Sequence, residues 1–194
     1  MSKRLQAGKD LLEKGLFEQA IKEFSIQISS SPEEIQAIYL RGVAFRKLGI
    51  LDSSLKDFNK AILINPKNPD LFSDRAIVYH LMSKSEEAIA DMNTSVLLDD
   101  ENGFRYSCRA YMRDLLGDTN GAIEDYNKAI AGLEFPISRD GLLRGTKDKG
   151  GIDREVAMIL DMLQDNKFNS EEELFQKIRY IYLSIGALAE DIPI

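Results

Sequence analysis

The chain has 194 residues, with 25 Lys and Arg against 32 Asp and Glu, one His, one Cys and no Trp, for a formal net charge of −7. A single cysteine excludes a disulfide framework and a multi-cysteine zinc site, and a single histidine excludes most histidine-based metal centres. The acidic balance, without a basic block, argues against nucleic acid as a partner, and no apolar run approaches the ~20 residues that span a bilayer. The opening stretch, Met1 to Gly15, carries charges where an export signal needs an apolar core. The expectation is a globular, cytoplasmic protein with no membrane segment and no bound cofactor or metal.

A repeat of 34 residues runs through the first two thirds of the chain. Gly8, Gly42, Ala76 and Ala110 form one series, and Ala20, Ser54, Ala88 and Ala122 a second. Phe24, Phe58, Met92 and Tyr126 form a third, and Gly15, Gly49, Ser83 and Gly117 a fourth. The blocks are 1–34, 35–68, 69–102 and 103–136. The two small columns suit close approach of paired helices. The large column fills the space between neighbouring pairs. The Gly/Ser column suits a helix end that turns through the left-handed conformation. Pro32 and Pro66 follow a helix that they cannot continue.

Between these marks the apolar spacing is helical. In the first block Leu5, Leu11 and Leu12 are followed by Ala20, Ile21, Phe24 and Ile28. In the second, Leu55, Phe58, Ala61 and Ile62 keep the i, i+3, i+4 pattern. Each block is therefore expected to be two helices of about 12–14 residues joined by a tight turn. The run 137–151, with Gly141, Gly145, Gly150 and Gly151 among Arg139, Arg144, Lys147 and Lys149, reads as a long loop. Two helical stretches follow in 152–194, and Ser170 with Glu173 forms a capping box for the second. This end is expected to cap the repeat array or to lay its apolar tail, Leu188 to Ile194, in the chain's own groove. A third expectation is a partner-specific or dimerising surface.

Catalytic chemistry finds little support. His80 and Cys108 stand in adjacent blocks with no orienting third group. Gly145 and Gly150 have the spacing of a phosphate loop, but Gly151 and Ile152 replace its lysine and hydroxyl residue. Asp99, Asp100 and Glu101 lack calcium-loop spacing. No enzyme is expected.

The blocks resemble tetratricopeptide repeats. The resemblance rests on Tyr39-Leu40-Arg41-Gly42-Val43-Ala44-Phe45, on Phe58-Asn59-Lys60-Ala61-Ile62 to Asn65-Pro66, and on Gly121-Ala122-Ile123-Glu124-Asp125-Tyr126. The family's usual Trp is Arg4, Ile38, Phe72 and Tyr106 here, and the third block, with Ser83, Met92 and Asp100, departs furthest and is expected to pack more loosely. The resemblance implies an all-α, right-handed solenoid of four helix pairs. It also implies a non-catalytic scaffold that binds a protein or peptide segment in a concave groove lined by the first helix of each pair.

Carried onto this chain, the groove columns give Lys9, Tyr39, Val43, Arg46, Lys47, Asp74, Ile77, His80, Phe104, Cys108 and Tyr111. Members that clamp a C-terminal carboxylate need basic and amide side chains where this chain has Leu5, Lys9, Leu40, Asp70 and Asp74. A chaperone-type clamp is therefore not expected. The alternative is a groove filled by the chain's own or a neighbour's C-terminal segment, in a self-occluded or homo-oligomeric scaffold.

Overall fold

A computed structural model describes residues 2–130, together with 137–138 and 167–168. The described part is helical: α1 (Lys3–Glu13), α2 (Phe17–Ser30), α3 (Ile35–Lys47), α4 (Leu51–Ile64), α5 (Pro69–Leu81), α6 (Ser85–Leu98), α7 (Gly103–Leu115) and α8 (Thr119–Ile130). The chain divides into two compact units, Met1–Leu98 with α1 to α6 and Asp99–Ile194 with α7 and α8.

The second unit also holds an antiparallel pair, β1 (Ile137–Ser138) with β2 (Lys167–Phe168). Ile137 and Ser138 fall in the stretch expected to be loop. Two residues are too few to show a strand's alternation, so the sequence pattern carries no trace of them. The expected C-terminal helices, the Ser170 capping box and the apolar tail lie outside the described residues.

Each turn within a pair has the same construction. The backbone N–H of Leu16 donates to the carbonyl of Leu11 at 2.9 Å. Ile50 to Phe45, Lys84 to Tyr79 and Asp118 to Arg113 repeat the bond at 2.8–2.9 Å. These six-to-one bonds close a helix end in which one residue is left-handed. That residue is Gly15 at φ +73°, Gly49 at +72° and Gly117 at +81°. In the third pair it is Ser83 at +57°, where a Cβ crowds the following carbonyl at a cost of about 1 kcal/mol. Ser83→Gly is therefore expected to stabilise the chain by about 1 kcal/mol, read as a higher urea midpoint at unchanged slope. Ser83→Ala should give no such gain.

Helices α1, α5 and α7 start on short polar caps. Ser2 Oγ accepts from the Leu5 N–H at 3.0 Å. Asn68 Oδ1 accepts from Asp70 N–H at 2.9 Å, and Asn102 Oδ1 from Phe104 N–H at 3.0 Å. Each satisfies a donor that the helix itself leaves open. Pro69 then opens α5, where its missing N–H costs nothing.

The repeated columns are the core. Ala20, Ser54, Ala88 and Ala122 are all buried, as are Phe24, Phe58, Met92 and Tyr126. Ser54 is tolerated in an apolar column because its hydroxyl donates to the Gly42 carbonyl at 2.8 Å. A Cβ on Gly42 would lie 3.1 Å from the Phe58 ring, and one on Gly8 would lie 2.8 Å or closer to Phe24, so these glycines let the pair close on its aromatic residue. The third pair is as well filled as the others. Met92 and Ala88 are fully buried, and Ser73 and Ser95 share a 2.6 Å hydrogen bond beneath the Pro69 carbonyl. A flexible thioether occupies the aromatic position without leaving it exposed. No described helix is long and apolar enough to cross a membrane.

Candidate functional site

In the first unit the first helices of successive pairs are neighbours: α3 touches both α1 and α5. The predicted groove residues of this unit therefore fall on adjacent helices, with Lys9 on α1, Tyr39, Val43, Arg46 and Lys47 on α3, and Asp74, Ile77 and His80 on α5. Lys47 is exposed, and the others are half-buried.

Three of them meet directly. The Tyr39 hydroxyl donates to Asp74 Oδ2 at 2.7 Å, and Arg46 Nη2 donates to Asp74 Oδ1 at 3.0 Å. Tyr39 and Arg46 stand two turns apart on α3, so both oxygens of one carboxylate on α5 are held by the neighbouring helix. The Arg46 and Asp74 side chains are only 10% and 14% exposed, so salt screens the pair only weakly. Burial, and then the Asp74 charge, push the Tyr39 phenol far above its ordinary value, which keeps the proton on the phenol oxygen that donates to Asp74. The ring of Tyr39 lies 6.0 Å from that of Phe58 at 53°, an aromatic contact that ties this surface to the core.

Asp74 is not a bare anion, because Arg46 and Tyr39 already hold it. Leu5, read as a replaced clamp position, is 1% exposed and belongs to the core cluster with Phe24 and Ile28.

In the second unit Phe104, Cys108 and Tyr111 lie along α7. Phe104 and Tyr111 are half-buried, but Cys108 is 7% exposed and so is packed rather than presented. His80 belongs to the first unit, and the buried thiol of Cys108 to the second.

A further set of side chains has no counterpart among the predicted site residues. Arg41, Arg75 and Arg109 recur at the 34-residue period, as do Asp57, Asp91 and Asp125. Each arginine grips its aspartate through Nε and Nη2, at 2.8 and 2.8 Å for Arg41, 2.6 and 2.7 Å for Arg75, and 2.7 and 2.7 Å for Arg109. The remaining nitrogen, Nη1, reaches back to the preceding pair, to Ser25 Oγ at 3.0 Å from Arg41 and to Asn59 Oδ1 at 2.6 Å from Arg75. One guanidinium thus joins the two helices of its own pair and the second helix of the pair before. The fork geometry needed for three such bonds is available to Arg and not to Lys. Arg75 also lies over the Phe72 and Tyr79 rings, and Arg109 over that of Tyr106. The bonds to Asp91 and Asp125 hold the Arg75 and Arg109 guanidinium groups above their ordinary values. The first pair has Ala7 and Glu23 in these columns, and there Arg4 makes a more exposed pair with Glu23 at 3.0 Å.

Residues 35–68 and residues 58–90 each match the tetratricopeptide repeat family. The two matches overlap over residues 58–68, in the second half of α4 and the turn after it. The fold is similar to that of a solved structure of MamA at 14% identity and a TM-score of 0.63, over 96% of this chain and 98% of that one. A fragment of MamA from Desulfovibrio magneticus RS-1 aligns at 20% identity and a TM-score of 0.63, over 66% and 72% of the two chains. A thermophilic TPR protein of Thermus thermophilus, TTC0263, aligns at 18% identity and a TM-score of 0.60, over 82% and 78%. No curated protein matches the chain.

Proposed function

We propose that this chain, whose residues 35–90 match the tetratricopeptide repeat family, is a non-catalytic interaction module that holds a segment of a partner protein against the first helices of its pairs. The observation that carries this reading is the face of α3 and α5. Tyr39, Arg46 and Asp74 are locked to one another there, with Val43 and Ile77 half-buried on the same two helices. A surface whose polar groups are already held in place loses little freedom on binding, and half-buried aliphatic groups supply the apolar contact. In the second unit Phe104 and Tyr111 are the corresponding contacts. A carboxylate clamp is not part of this reading. The cytoplasm is the proposed setting, since a lone cysteine suits a reducing compartment.

A photo-crosslinking amino acid placed at Val43 in the source cells tests the reading. The expected result is an adduct with a different protein, at a yield well above that from the same group at Ser29 on α2. Equal yields from both positions would remove the α3 face from the function.

A further inference from the structure

The exposed side of α4 is cationic, although the chain as a whole is acidic. Lys56, Lys60 and Leu63 follow at i, i+4 and i+7 on one exposed stripe, and Lys67 stands in the turn beyond the helix. Leu63 is 84% exposed, as is Leu97 in the same column one repeat later at 85%. On α2, one repeat earlier, the columns of Lys56 and Lys60 hold Lys22 and Ile26, also exposed. None of these four lysines makes an ion pair with another described residue. Asp52 and Glu18 stand in the first turns of the two helices, and the cations follow them along the chain.

We propose that this stripe docks an acidic amphipathic helix of a partner protein, with Leu63 and Ile26 against its apolar residues and the four lysines against flanking Glu or Asp. The charge pattern selects this occupant. Four cations among exposed aliphatics complement a segment with apolar residues at three-to-four spacing bordered by acids. The chain as a whole carries −7, and the remainder outside this stripe is more negative still. An extended anionic bilayer would bring that negative charge within a Debye length of about 8 Å, whereas a single helix addresses the stripe alone. This surface lies on second helices and is separate from the α3 and α5 face.

The test uses the full chain and a fluorescein-labelled synthetic helical peptide with leucines on one face and glutamates beside them. A second peptide has lysine at each glutamate. The glutamate peptide should bind and the lysine peptide should not, with binding weakened between about 50 and about 300 mM salt. Lys56→Glu with Lys60→Glu should weaken binding at least about tenfold, Lys56→Gln with Lys60→Gln by less, and Leu63→Ser should also weaken it. Val43→Glu with Ile77→Glu should leave it unchanged. Equal binding of both peptides, or binding insensitive to Lys56 and Lys60, overturns the proposal. Binding of phosphatidylserine vesicles in place of the peptide would assign the stripe to a bilayer. A concentration-dependent dimer dissolved by the same substitutions would assign it to a second copy. Either result also overturns the proposal.

Discussion

Asp91→Ala is expected to destabilise the chain by about 3 kcal/mol, the scale for removing one partner of a mostly buried ion pair. The substitution strips two hydrogen bonds, at 2.6 and 2.7 Å, from Arg75. The Arg75 side chain is only 18% exposed, so its guanidinium is left against Asn59 and two aromatic rings with little water to replace the carboxylate. Arg75→Met with Asp91→Leu should recover most of the loss, because neither charge then remains buried without its counterpart. Glu23→Ala is the internal control. Its pair with Arg4 is 29% and 51% exposed, and the expected change is within about 1 kcal/mol. Urea denaturation of the four proteins checks the set. A loss at Asp91 no larger than at Glu23 would show that the recurring Arg–Asp bonds do not hold the repeats together.

Phe58→Ala is expected to cost about 3–5 kcal/mol. The ring is fully buried, faces Gly42 across the helix pair and contacts Tyr39. Its loss removes apolar area and leaves a cavity that Gly42 cannot fill. In a repeat array each pair is stabilised by its neighbours, so the damage should spread to α3 and α5. Hydrogen exchange is the informative readout: amides of α3 to α5 should lose protection before those of α7 and α8. Phe58→Leu should cost less than half as much, since the cavity is smaller. A uniform loss of protection along the chain would contradict the local account.

Most of this fold was legible as spacing. Four columns at a period of 34 contain the residues that pack the pairs and turn the chain, including Ser83, which occupies a glycine's place and adopts a glycine's conformation. The expected looseness of the third pair did not follow from its departures, because Met92 and the Ser73–Ser95 bond fill that space. The Arg–Asp columns share the same period and are readable in the same way. They escape notice because a charged residue on a helix is ordinarily a solvated one. The signal that marks them is opposite charges recurring 16 residues apart in three successive blocks.

The candidate surface was legible only in part. Column position placed Tyr39, Arg46 and Asp74 on neighbouring helices, but not their mutual bonds, which depend on rotamers and on the separation of α3 from α5. The same limit applies to Cys108 and Leu5. Helical phase assigns a side chain to a face, while burial depends on what the next element brings against it.

The most direct test of the interaction account compares two baits for affinity capture from lysate of the source cells. One is the intact chain, and the other carries Val43→Glu with Ile77→Glu, after both are shown to be equally helical. These residues are preferred to Tyr39, whose replacement by Glu would set a second carboxylate against Asp74. The account predicts a partner protein that the intact chain retains and the substituted chain loses, with Lys56→Glu and Lys60→Glu leaving that capture intact. Retention of the same partner by both baits would contradict it and move the binding function away from the first helices of the pairs.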